Sequence, residues 1–400
     1  MMEGERVETT QLQNRGENRL GYTAIGVNFL HYMALTASRP YLAGFASQLG
    51  ANAMEVGIVT SMYSVVQAIC AIWIGGLIAK RGSKNAALIG TACYVLGVTG
   101  LIFVKSWILV ALCMLLFGFA HGVITMSTQY VVTGLSGSNR ERIIGYQSFS
   151  NSAGMFLGPY IGGYLKDIDI RYSFMAAAVI AMLDLALVLA MPNIRRDAKT
   201  VEKRATTLEL VRNPHVMKNV LLSGAVWFGA DIASSYLDMF GTSRGLTGAQ
   251  VGTVLSMYGM AQMLIRPFLG TFCKFIRRDK LFQLSLLLAG VFMITLASSS
   301  IFWLMLTLSI LLGMTVGLGN PLTLLTVTEG VSARDRGGVL ALRVMGNYGA
   351  QTLSAFLLGA LATFVGAAGY FYGGGAVLIA TVFLARKIEK DRIRDTEEQQ

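Results

Sequence analysis

The chain has 400 residues, of which 54% are hydrophobic and only 14% charged, with a mean hydropathy of +0.57. A water-soluble domain carries about 25% charged residues, so this composition excludes an ordinary soluble fold and calls for a lipid bilayer as solvent. The net charge of +11 is spread over short polar segments, whereas a nucleic-acid-binding protein would gather it on one face.

In chain order, the first twenty residues are polar and mixed in charge. They lack a short apolar core followed by a small-residue cleavage site, so no removable signal peptide is expected and residues 1–21 read as a cytoplasmic tail. A helix needs about 20 mostly apolar residues to cross the hydrocarbon core. Twelve stretches meet that length: 22–47, 55–78, 85–104, 107–130, 143–165, 172–191, 218–240, 250–272, 281–299, 302–326, 338–362 and 366–385. The longest polar interval between them is 192–217, with seven positive charges if Lys218 is included. It separates six spans from six. The expected organisation is therefore an N-terminal bundle (22–191), a cytoplasmic linker (192–217), a C-terminal bundle (218–385) and a cytoplasmic tail (386–400). With both termini in the cytoplasm, the cytoplasmic segments hold 26 of the 33 Lys and Arg. The outer loops hold about four and the spans three, Arg39, Arg266 and Arg343. This is the bias expected of a multi-pass protein of a bacterial inner or plasma membrane. The cysteines (Cys70, Cys93, Cys113, Cys273) lack metal-ligand spacing and read as small buried hydrophobes.

Charges at mid-membrane cost roughly 2.5–3.5 kcal/mol each, so those present should face a cavity or a partner. Span 1 carries Asn28, His31 and Arg39, whose offsets of three and eleven share a face. His31 could titrate or serve as a hydrogen-bonded packing residue. Arg39 precedes Pro40 and could attract an anionic group or pair with Asp238. Span 7 carries Asp231, Ser234, Ser235 and Asp238 on one stripe. Asp231, near mid-span, is the leading proton or cation site, with an ion pair to Arg39 or hydrogen bonds to the serines as the structural alternative. Asp238, nearer the outer surface, could be solvated. Arg266 and Arg343 lie near cytoplasmic helix ends, where long side chains snorkel to the interface or serve a gate. Asp184 in span 6 has no assigned role.

The halves repeat one another. VGIVTSMYSVVQ (56–67) and VGTVLSMYGMAQ (251–262) share Val, Gly, Val, Ser, Met, Tyr and Gln in register at an offset of 195 residues. Gly50 and Gly75 match Gly245 and Gly270 at the same offset, and Asn151 matches Asn347 at nearly the same one. Both halves begin on the same side, so the repeats are parallel. Tyr63, Gln67, Tyr258 and Gln262 form a duplicated polar face, suited to substrate contact or to helix packing. Span 5 reads GYQSFSNSAGMFLGPYIGG, with Gly145, Gly154, Gly158, Pro159, Gly162 and Gly163. Gly154, Gly158 and Gly162 form a smooth ridge for close backbone approach, and Pro159 bends the helix. After span 2 comes GGLIAKRGSK (75–84).

Twelve spans in two parallel halves with a basic central linker resemble the major facilitator superfamily over about residues 20–385. The span 5 pattern, Gly-x8-Gly-x3-Gly-Pro-x2-Gly-Gly, is similar to that of the family's proton-coupled drug exporters. The segment after span 2 resembles the family's Gly-x-Leu-Ala-Asp-Arg-x-Gly-Arg-Lys at Gly75, Leu77, Gly82 and Lys84, with Lys80 keeping a positive charge, but Ala79 replaces the Asp. In span 4, Gly118 stands where the exporters usually have an Arg. The resemblance implies a cavity lined by spans 1 and 7, with its site near the midplane. It also implies a cytoplasmic gate at Gly75, Lys80, Gly82, Lys84, Arg266 and Arg343, and a span 5 ridge sealing the two halves. The expected function is a proton-coupled exporter of small amphipathic compounds working by alternating access. A metabolite, lipid or siderophore carrier is the alternative within transport, and a non-transporting membrane sensor is a further one. No P-loop or HExxH is present, so neither an enzyme nor a cofactor is expected. The expected partners are a small-molecule substrate, protons and lipid, with no nucleic acid, around a monomer.

Overall fold

The computed structural model describes residues 21–134, 140–191, 193–194, 207–328 and 336–397, and among these all regular structure is helical. The helices are α1 (21–38), α2 (Leu42–Gln48), α3 (Ala53–Arg81), α4 (Ser83–Phe103), α5 (Trp107–Gly134), α6 (Arg140–Lys166) and α7 (Ile170–Leu189). A short α8 (Thr207–Arg212) lies within the linker. Then come α9 (Pro214–Ser243), α10 (Gly248–Ile265), α11 (Leu269–Phe275), α12 (Arg278–Ala297), α13 (Phe302–Thr328), α14 (Arg336–Val365) and α15 (Ala368–Glu397). Each of the twelve expected spans falls on one helix or on one broken pair. Among the described residues, nine helices are long and apolar enough to cross a membrane.

The three spans outside those nine have identifiable reasons. Span 1 breaks at Pro40, where Arg39–Tyr41 form a 3-10 turn between α1 and α2. Span 8 breaks at Pro267, where Arg266–Phe268 do the same between α10 and α11. In each case proline removes a helical donor and clashes with the preceding turn. Span 5, α6, carries Ser148, Asn151 and Ser152 on an internal face, which lowers its apolarity. Two boundaries differ from the sequence expectation. The second bundle starts earlier, at Pro214, and the tail expected from 386 is helical to Glu397 as part of α15. Charged residues there read as a tail, although Lys and Glu are good helix formers.

The duplication is a duplication of packing. Gly50 and Gly245 both turn with positive φ, 90° and 83°, a conformation open chiefly to glycine. Asn52 with Glu55, and Thr247 with Gln250, then cap α3 and α10 with reciprocal capping boxes at the same offset. A Cβ on Gly118 would strike the carbonyl oxygen of Tyr63, and one on Gly313 would strike that of Tyr258. Gly317 likewise abuts Gln262, whereas Gly122 abuts Ile74 and meets Gln67 in ordinary contact. The repeated Tyr-x3-Gln thus forms the floor on which a Gly-x3-Gly of α5 or α13 rests. This also accounts for the missing arginine at Gly118, since no side chain fits there.

α1–α7 pack on one another, as do α9–α15, and the two groups meet mainly along α3 with α14 and α6 with α10. Gly57 abuts Ala355, Gly163 abuts Gly248 and Gly252, and Gly252 abuts Pro159. The ridge expected to seal the halves does something else. Gly154, Gly158 and Gly162 face Met33, Thr36 and Ala37 of α1, within the first group. Only the last glycine of the motif, Gly163, touches the second group. Large apolar side chains such as Trp73, Phe103, Trp303 and Phe364 point outward, as a lipid-facing surface requires.

Candidate functional site: a central cavity beneath an inter-group ion pair

A cavity of about 490 Å³ lies between the two groups of helices. Tyr63, Tyr258, Gln262, Arg39, Asp231, Arg266 and Arg343, all candidates from the sequence, line it, together with Tyr32, Trp227 and His121. At its roof Arg39, the first residue of the 3-10 turn at Pro40, donates to Asp231 across the group boundary at 2.6 Å and to Ser235 at 3.0 Å. The Arg39 guanidinium lies 4.1 Å from the centre of the Tyr63 ring, a cation–π geometry. Ser235, one turn along α9, donates to the same Asp231 oxygen at 2.9 Å, and Gln351 of α14 donates to it as well. Asp231 is therefore a buried carboxylate whose one oxygen accepts from three donors. The stripes read on spans 1 and 7 do meet, but as an ion pair of Arg39 with Asp231 rather than with Asp238.

Asp238 is not solvated. It is 1% exposed and pairs with Lys166, which also donates to Thr242 at 3.1 Å. Next to it, the Asp167 carboxylate accepts from the amides of Gly248 and Ala249 and so caps α10. These contacts lie at the end of the helices opposite the linker. Thr60 with Tyr236 (2.6 Å), and Tyr370 with the Ala53 carbonyl (3.0 Å), add inter-group bonds on the same side. Breaking a buried pair by removing one partner costs about 3–5 kcal/mol. Asp238→Asn is therefore expected to lower the melting temperature of the detergent-solubilised protein, and Lys166→Met with Asp238→Leu to recover most of it. An unchanged melting curve for the single variant would contradict this pairing.

Other candidates stand away from the cavity wall. His31 is buried and hydrogen-bonded to His121, Nε2 to Nδ1 at 3.0 Å, with the ring centres 5.2 Å apart. Asn28 is buried, donates to Ser150 at 3.2 Å and accepts from Thr128 at 3.4 Å. Gln67 is buried against the Tyr63 carbonyl. Asp184, also buried, accepts from Thr91 at 3.5 Å.

The expected cytoplasmic gate is divided. Gly82 turns with φ 85° between α3 and α4, and a Cβ there would strike Asn193. The Lys84 amide donates to Asn193 at 3.2 Å and its Nζ to the Leu189 carbonyl. This segment is thus clasped within its own group rather than across to the other. Lys80 and Ala79 are exposed, and Gly75, Gly145 and Gly270 have open space around them. Arg266 and Arg343 are part of the cavity wall rather than snorkelling outward. His121, Gln351 and Lys166 were missed as site residues. His121 lies three residues after Gly118 in span 4, and Gln351 carried a signal only as a lone amide inside a span.

The Major Facilitator Superfamily model matches residues 24–248 and 220–400, and the chain belongs to that family of membrane transporters. A multi-drug resistance efflux pump of Streptococcus pneumoniae, PmrA, is 26% identical over 61% of this chain and 64% of its own length. The alignment therefore spans just under two thirds of that relative. An uncharacterised MFS-type transporter of Methanocaldococcus jannaschii is 25% identical over 68% of this chain and 69% of its own. The quinolone resistance protein NorA of Staphylococcus aureus is 22% identical over 45% of this chain and 46% of its own. The fold is similar to that of the nucleoside transporter NupG, crystallised as a point mutant. The TM-score is 0.81 at 12% identity, covering 92% of this chain and 99% of the other. A peptide transporter, POT, in complex with sulfate gives 0.75 at 14% identity, covering 93% and 94%.

Proposed function

We propose that this chain is a proton-coupled exporter of small amphipathic compounds, working by alternating access in a cell membrane with both termini in the cytoplasm. The observation that carries this reading is the Arg39–Asp231 pair, which bridges the two groups at the roof of the cavity. The bundles 22–191 and 218–385 are taken to rock as units about it. The inter-group contacts near Lys166, Asp238 and Gly163 close the outer end, and the cavity faces the cytoplasm. Proton uptake at Asp231 would discharge the carboxylate and release Arg39, uncoupling the two groups. Tyr63, Tyr258 and Gln262 then supply substrate contacts, while His31 and Asn28 hold α1 in register from behind. The similarity to PmrA and NorA supports export. The bias of Lys and Arg toward the linker side supports the orientation.

The test is transport in inside-out proteoliposomes carrying an imposed pH gradient. An acidic lumen is expected to drive accumulation of an amphipathic dye, collapsing when a protonophore is added. Accumulation indifferent to the gradient would remove the proton from the mechanism.

A further inference from the structure

We infer that the substrate is an organic anion, held by its acidic group at Arg266 and Arg343 with its aromatic or apolar body against the cavity's rings. This rests on the transport reading above and adds the charge of the cargo. Three arginines and one aspartate line the cavity, Arg39, Arg266, Arg343 and Asp231, a formal balance of +2. Asp231 is already engaged by Arg39 at 2.6 Å, so it discharges that arginine and neither of the others.

Among the described residues, Arg266 and Arg343 have no carboxylate partner. The Nε of each is buried without a hydrogen-bond partner. Arg343 donates from Nη2 to the Asn320 carbonyl (3.2 Å) and to Thr323 (3.1 Å). Both acceptors are neutral, so they orient the guanidinium without cancelling its charge. Arg266 is placed by the Pro267 break, which ends α10 beside the cavity. Uncompensated cations inside a low-dielectric wall attract a counter-charge and repel cations. A guanidinium presents paired donors that match a carboxylate, sulfonate or phosphate. Tyr32, Tyr258 and Trp227 line the same space and suit a flat apolar body. A lipophilic cation would meet those rings too, but the +2 balance disfavours it.

The experiment compares two dyes sharing a xanthene body, carboxyfluorescein (anionic) and rhodamine 6G (cationic), by fluorescence anisotropy on the purified full chain in neutral detergent. Carboxyfluorescein is expected to bind at least tenfold more tightly and to weaken as salt is raised. Arg266→Gln and Arg343→Gln are each expected to weaken it about tenfold or more, and the lysine variants to retain part of the affinity. Melting curves establish that the variants are folded. Adding phosphatidylglycerol to the micelles separates a free organic anion from a lipid headgroup. Unaffected dye binding favours the soluble anion, and competitive displacement assigns the same arginine pair to lipid.

Equal or tighter binding of rhodamine 6G, or full carboxyfluorescein affinity in the Arg266→Gln, Arg343→Gln double variant, would overturn the inference. Failure of the transport reading looks different. There, carboxyfluorescein would bind in an arginine-dependent way yet fail to accumulate in proteoliposomes under any pH gradient.

Discussion

Asp231→Asn is expected to abolish pH-driven exchange, reducing it at least tenfold, while the protein still folds and inserts. The substitution keeps the shape of the side chain and leaves an amide oxygen able to accept from Ser235 and Gln351. It removes the charge that Arg39 meets at 2.6 Å and leaves that arginine with Tyr63 and Ser235. Removing one member of a buried pair costs about 3–5 kcal/mol, and here the cost falls on the state in which the groups are bridged. The bridged arrangement is therefore expected to lose population as well as its proton site. Arg39→Gln combined with Asp231→Asn separates the two effects. The double variant should regain thermal stability, because no uncompensated charge remains, and should still not exchange. Undiminished exchange by Asp231→Asn would remove this carboxylate from the mechanism. Restored exchange in the double variant would reduce the pair to a structural tie.

How much of this was legible in the sequence depends on which kind of signal each feature leaves. The spans were legible because bilayer thickness imposes a length and an apolarity on each one. The repeat was legible because both copies perform the same packing task, and close packing of Gly118 on Tyr63 and of Gly313 on Tyr258 leaves little freedom to drift. The stripe on α9 could be read from helical spacing, and Asp231 was placed facing span 1. Choosing between Asp231 and Asp238 as the partner of Arg39 was beyond the sequence. That choice depends on how far α1 runs before Pro40 turns it, a tertiary distance that spacing does not encode. The error about Asp238 has a similar source. Depth along a span suggested water, but Lys166 at the end of α6 reaches over it from another helix. The ridge on α6 was correctly read as a surface for close approach and assigned to the wrong neighbour. Glycine spacing reports that a backbone comes near and carries no label of which one.

That reassignment yields the second large effect. Gly163→Val is expected to force apart the end of the molecule opposite the linker, because its new side chain would enter the backbone of Gly248 and Gly252 in the other group. Overpacking of this kind costs about 1–3 kcal/mol or more when backbone blocks the way. Neither α6 nor α10 has a flexible side chain there to yield. Thr60, buried beneath Tyr236 in that closure, reports on it. In a background lacking the four native cysteines, Thr60→Cys should react with a water-soluble maleimide several-fold faster when Gly163→Val is present, and transport should fall at least tenfold. Gly158→Val is the contrasting case. Its side chain would collide with Met33, Thr36 and Ala37 inside the first group, so it should lower the melting temperature without speeding the labelling of Thr60→Cys. If Gly163→Val labels and transports like the parent, the contact between α6 and α10 does not hold that end shut. If Gly158→Val opens the end equally, the ridge faces the other group after all, and the packing of α6 on α1 described above is wrong.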